Sequence, residues 1–96
     1  MFVVTVTFEI KKEHLETFMK AMTLQAHNSV IREHGCLQFD VCQDQQKPER
    51  IFLYEVYSDR AAFDVHLQTA HFLEFDKTVS PWTDSKIAEQ WERVES

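Results

Sequence analysis

Glycine and proline are nearly missing from this 96-residue chain, which has one Gly (Gly35) and two Pro (Pro48 and Pro81). That scarcity excludes collagenous, low-complexity and disordered chains, and any glycine-rich loop that would cradle a phosphate. No GxGxxG, P-loop, GxSxG or CxxC occurs. Nucleotide and flavin fingerprints are therefore absent, as is a nucleophile elbow. Apolar runs stop after about four or five residues, far short of the roughly 20 that a membrane helix needs. The start Met1-Phe2-Val3-Val4 lacks the basic residues and long apolar stretch of a secretory leader.

Basic charge is also scarce. Ten Lys and Arg face sixteen Asp and Glu, a net charge of −6, and the basic residues are scattered beyond Lys11-Lys12. A nucleic-acid or anionic-membrane partner is disfavoured. The two cysteines, Cys36 and Cys42, are six positions apart in one predicted strand. At about 3.3 Å per residue that is roughly 20 Å, and a disulfide needs Cα atoms within about 7 Å. Free thiols and a reducing cytoplasm are expected.

The remaining pattern is that of one domain, residues 1–96. VVTVTFEI, from Val3 to Ile10, alternates and is rich in β-branched residues, a strand. Lys12 to about His34 is free of Gly and Pro. Its Leu15, Phe18, Met19, Met22, Ala26, Ser29, Val30 and Glu33 recur at intervals of three and four, a long amphipathic helix. Gly35 sits where a left-handed cap would end it. Cys36 to Asp44 reads as a second strand, Gln43 to Glu49 as a hairpin loop, and Arg50 to Tyr57 as a third strand. That third strand is apolar on both faces, with Phe52, Tyr54 and Val56 opposite Ile51, Leu53 and Tyr57. Ser58-Asp59 offers an N-cap for a helix through Leu67. Thr69 can cap a further helical stretch that Pro81 closes, and Lys86 to Val94 reads as the last strand.

The order β-α-β-β-α-β is the α+β, ferredoxin-like split βαβ sandwich: a four-stranded antiparallel sheet with two helices on one face. The other face of the third strand stays apolar with no chain left to cover it. A second copy packed sheet to sheet, a homodimer, is the simplest cover.

Five histidines stand out. His14 reads as solvated and His34 as a charge partner for the end of the first helix. His27 lies off the apolar stripe, either a boundary histidine or a contributor to a site. His66 and His71, five residues apart, lie about 140° apart on an ideal helix. One helical face holding a metal wants a spacing of four, so no metal site is expected. A helix break at Thr69 would turn His71 back toward His66. Glu55 interrupts an apolar strand, a costly place for a carboxylate unless it is hydrogen-bonded or faces a wet cavity. Asp40 raises the same question in the second strand. Glu55, His66 and His71 are the candidate catalytic residues, with Glu55 orienting one imidazole that acts as general base. His27, Asp40, Tyr54 and Arg50 are candidates for substrate contact; Arg50, Arg32 and Lys47 are the cations considered for a phosphate.

His66-Leu67-Gln68-Thr69-Ala70-His71-Phe72, following Tyr54-Glu55-Val56-Tyr57-Ser58-Asp59, resembles the antibiotic biosynthesis monooxygenase family. Its members often carry H-L-x-T/S-P-H there, with Pro where this chain has Ala70. Ser29 to Val41 resembles the family's helix-Gly-strand junction. The resemblance implies a dimeric α+β barrel with a pocket between sheet and helices. It implies a cofactor-independent monooxygenase acting with O2 on a small quinol, phenolic or enolisable substrate. The scaffold is also similar to that of the enzyme processing phosphorylated autoinducer-2, a proton-transfer isomerase, most closely around His27, Phe39-Asp40-Val41 and Ile51 to Tyr57. Haem-degrading relatives use an Asn in the first strand and a ligating His late in the second helix. This chain has Val, Thr, Phe and Glu in the first strand and Phe75 and Asp76 near the latter position, so no haem or other cofactor is expected. Oxygenation of a small molecule is the leading expectation, isomerisation the alternative, and a non-catalytic small-molecule-binding dimer the third reading.

Overall fold

In the computed structural model, which describes residues 1–95, strand β1 (Phe2–Ile10) turns Val4, Val6, Phe8 and Ile10 into the core. It lies inside a sheet of order β2-β3-β1-β4, with β2 spanning Cys36–Gln43, β3 Arg50–Tyr57 and β4 Thr83–Glu92. Every neighbouring pair is antiparallel. Helices α1 (Leu15–Arg32), α2 (Arg60–Gln68) and α3 (Ala70–Val79) cover one face, giving the ferredoxin-like order expected. Phe18 and Met22 of α1 and Phe63 of α2 pack on Val4, Val6, Phe8, Ile51, Leu53 and Tyr57. Burying a side chain such as Phe18 or Met22 stabilises the fold by about 1.5–3 kcal/mol.

Three local features differ from the sequence expectation. The first helix opens with a 3₁₀ turn at Lys12–His14, and the α-helix begins at Leu15. β4 begins at Thr83, directly after a 3₁₀ turn at Ser80–Trp82 that contains Pro81. Gly35 is not a left-handed cap, since no glycine has a positive φ. Its role is close approach: a Cβ there would collide with the methyl of Ala62. The Gly35 carbonyl accepts from Ser58 N at 2.9 Å. The α1–β2 corner thus sits directly on the first turn of α2.

The second helical region is two helices. Asp59 caps α2, accepting from Ala62 N at 2.8 Å. Thr69, in an extended conformation, donates its hydroxyl to His66 O at 2.8 Å and accepts from Phe72 N at 3.2 Å. One side chain closes α2 and caps α3.

The outer sheet face carries Thr5, Phe52, Tyr54, Ile87 and Trp91, with Phe52, Ile87 and Trp91 exposed. Cys36 is buried, Cys42 is exposed, and both are free thiols. Among the described residues no helix is long and apolar enough to cross a membrane.

Candidate active site

The alternation of β3 points Glu55 to the helix side, opposite Val4 on β1 and Phe39 on β2. There it lines a cavity of about 90 Å³ between sheet and helices, with His66, Phe39, Phe72, Gln25 and Lys86 among the other walls. Glu55 is buried, and its Oε1 accepts from the Tyr57 hydroxyl at 2.6 Å. Burial pushes its pKa up to about 7, against the opposing pull of the Tyr57 hydroxyl and Lys86. The Tyr57 phenol is in turn pushed up by burial and by the Glu55 charge.

His66 is the second polar wall. Its Nδ1 lies 2.9 and 3.0 Å from the two oxygens of Glu33. Burial, and then Lys86, push its pKa down to about 4, so the ring is neutral near pH 7. A neutral imidazole facing a carboxylate donates Nδ1–H to it. Nε2 then keeps a lone pair, and it has no hydrogen-bond partner among the described residues. Glu33 itself is raised by burial, with the charge of His71 opposing.

Local structure delivers Glu33 to that position. It is the residue after α1, with its N–H on Ser29 O at 3.1 Å and its carbonyl accepting from Cys36 N at 3.1 Å. Because Gly35 lets the corner press on Ala62, the carboxylate reaches His66, one turn further along α2.

Several sequence expectations need correction. Glu55 does not orient a histidine; its partner is Tyr57, and Glu33 is the carboxylate on His66. His71 shares Glu33 rather than the cavity. Its Nε2 lies 2.8 Å from Glu33 Oε2, off the line of a hydrogen bond, and its Nδ1 lies 3.2 Å from Gln25 Oε1. It borders a groove between α1 and α3. His27 is exposed on α1. Asp40 is exposed on the outer face, beside Tyr54 in register and bonded by Gln38 at 2.6 Å. Tyr54 lies on that face too, accepting from Arg93 at 3.0 Å. Both were carried outward by strand alternation. Arg50 is held at the hairpin end by Asp44 and Glu9, Lys47 pairs with Glu9, and Arg32 is exposed. None of these lines the cavity.

Glu33, Gln25 and Lys86 were missed. Glu33 continues the apolar spacing of α1 by one step past its end, where a buried charged residue demands a partner. Gln25 sits between Met22 and Ser29 on the same buried face. Lys86 alternates inward with Ala88, which nothing in a polar edge strand advertises. It is the only Lys or Arg lining the cavity among the described residues. Its Nζ lies 3.5 Å from Asp76 and over the rings of Phe8 and Phe72. Among the described residues no group of three or more His, Cys, Asp or Glu is arranged to hold a metal.

Similarity to known proteins corrects the leading activity. An isomerase of (4S)-4-hydroxy-5-phosphonooxypentane-2,3-dione from Photorhabdus laumondii is 38% identical over 74 residues, 77% of this chain and 74% of that one. An enzyme of the same name from Yersinia enterocolitica is 37% identical over 73 residues, 76% of this chain and 75% of that one. A solved structure from Nitrosomonas europaea, described as an antibiotic biosynthesis monooxygenase, superposes with a TM-score of 0.94 at 30% identity, covering 99% of this chain and all of that one. The expectation of a cofactor-free oxygenase of quinols or phenols is overturned by the curated relatives, which are named as isomerases. The family pattern described as antibiotic biosynthesis monooxygenase matches residues 1–78, and the chain belongs to that family.

Proposed function

We propose that this protein is a proton-transfer isomerase of a small phosphorylated hydroxydione, of the class named in its relatives. The observation that carries this reading is one cavity lined by Glu55, His66 and Lys86. In (4S)-4-hydroxy-5-phosphonooxypentane-2,3-dione, carbon 4 bears a hydrogen and a hydroxyl beside the ketone at carbon 3. Removing that hydrogen gives an enediolate across carbons 3 and 4. Returning a proton at carbon 3 exchanges ketone and alcohol, with no oxidant and no change in composition.

Two protons move, so two groups are needed. Glu55, with a pKa of about 7, is matched to take the carbon-bound proton and return it next door. His66, neutral and with Nδ1–H held by Glu33, uses the Nε2 lone pair to carry the hydroxyl proton between the two oxygens. Lys86 supplies the cation for the phosphate, in competition with Asp76.

The test is incubation with this dione phosphate in D2O without oxygen, followed by proton and phosphorus NMR. The expected result is loss of the carbon 4 proton signal with the phosphate ester intact. No conversion, or conversion only when oxygen is admitted and consumed, overturns the proposal.

A further inference from the structure

His71 and Gln25 have no part in the chemistry above, yet each carries an atom whose hydrogen bonding is unmet. His71 Nε2 and Gln25 Nε2 are both buried without a hydrogen-bond partner among the described residues. A buried orphan group is costly, and each of these two calls for an explanation. Gln25 lines the cavity and also the groove between α1 and α3, so it forms the wall between them. His71 borders only the groove, whose other polar walls are Asn28, Glu74 and Thr78.

The geometry points to a proton relay, His66–Glu33–His71, that connects the cavity with this groove. His66 Nδ1 lies 2.9 Å from Glu33 Oε1, and His71 Nε2 lies 2.8 Å from Glu33 Oε2. One carboxylate thus touches both rings, whose centroids are 6.3 Å apart. With Nδ1–H given to Gln25 Oε1 at 3.2 Å, His71 keeps a lone pair on Nε2, off the line to Glu33 Oε2 in this arrangement and within reach once the carboxyl is protonated and rotates.

The step moves one proton. His66 Nε2 accepts a proton in the cavity while Nδ1–H passes to Glu33. The carboxyl rotates and gives its proton to His71 Nε2. The imidazolium formed borders the groove, where solvent takes the proton; the reverse sequence brings one in. The titratable and charged groups around His66 are Glu33 after α1, His71 on α3, Glu55 and Tyr57 on β3, and Lys86 on β4. Of these, His71 is the one that borders the groove.

The relay rests on the proton-transfer reading only for its use in turnover, so its test contains no substrate. The full chain, with 15N-labelled histidine, is examined by NMR for exchange of the His66 Nδ1–H with water. In the wild type this buried proton exchanges at least 100-fold faster than the core amides of α1 and β3. His71→Gln keeps a hydrogen-bonding group at Glu33 but carries no proton onward, and it slows exchange tenfold or more. Glu33→Gln keeps an acceptor for Nδ1–H and has the same effect. Equal exchange in the wild type and both variants, with core amides unchanged, overturns the relay. Should a variant fail to fold, the wild type still decides: a His66 N–H that exchanges no faster than the core amides overturns it.

Discussion

Glu33 and His66, 33 residues apart in the chain, meet through a carboxylate that reaches the Nδ1 of a buried imidazole at 2.9 and 3.0 Å. Neither element alone places them. The contact depends on α1 ending against the first turn of α2, and that approach is possible because residue 35 has no side chain.

Gly35→Ala is therefore expected to act on the site as well as on the fold. The added methyl overlaps Ala62, on the same face of α2 as His66, so the corner must move outward. Stability falls by about 1–3 kcal/mol, the usual range for overpacking, read from urea midpoints. The ring nitrogen shifts of His66 change as Glu33 withdraws. The double variant Gly35→Ala with Ala62→Gly removes the clash and restores both. Unchanged midpoints in the single variant would show that the corner is not tightly seated.

The order of elements along the chain and the helix break were legible because each has a local cause: β-branched alternation in β1, and a capping residue at Thr69. Glu55 was legible as a carboxylate where strand period demands an apolar residue. Its partner was not, because Tyr57, two positions along the same strand face, reads as a core aromatic. The Glu33–His66 pair was hidden for another reason. Glu33 falls on the core stripe by helical period, but which buried group meets it depends on how the corner and α2 pack, and no local pattern carries that.

Catalysis should follow Glu55 with pH. As the general base, it must be ionised, so kcat/KM rises as pH increases through about 7. His66 stays neutral across that range, since its pKa is pushed down to about 4. Glu55→Gln removes the rising limb and lowers the rate by about 10²-fold or more. A wild-type profile flat from pH 5 to 8 would remove Glu55 from the base role.

Stability should show two opposing slopes. Glu55 is raised from its ordinary 4.5 to about 7, so its contribution is full below pH 4.5 and is lost as pH rises through 7. His66 is lowered from 6.5 to about 4, so its contribution is full above pH 6.5 and is lost as pH falls through 4. Between 4.5 and 6.5 the two nearly cancel. Glu55→Gln leaves the His66 slope, and stability falls by roughly 1–3 kcal/mol more than in the wild type between pH 7 and 4. His66→Gln leaves the Glu55 slope and gains relative to wild type over the same acidification. Urea midpoints for all three proteins that run parallel with pH would refute both assignments.

A second copy is expected on the outer sheet face. Phe52, Ile87 and Trp91 are all exposed there, beyond the reach of the helices, and burying such a patch against its own symmetry mate satisfies both copies. Sedimentation at micromolar concentration should give a dimer. Phe52→Asp, an exposed position that leaves the core untouched, should give a folded monomer. A wild type that sediments as a monomer throughout that range contradicts the arrangement.

Lys86 separates two roles that one residue can play. It lies over the rings of Phe8 and Phe72, pairs with Asp76, and pulls the Glu55 pKa down. Lys86→Met keeps the packed stem and removes the charge. Without the charge, Glu55 rises further, so the rising limb of kcat/KM moves to higher pH. If Lys86 also holds the phosphate, KM for the phosphorylated dione rises about tenfold or more, as loss of a charged hydrogen bond worth about 1.5–3 kcal/mol requires. Competitive inhibition by inorganic phosphate then weakens in parallel. A limb that moves while KM and phosphate inhibition stay at wild-type values means that Lys86 acts only through Glu55. The phosphate must then be held elsewhere, and the assignment of Lys86 to it fails.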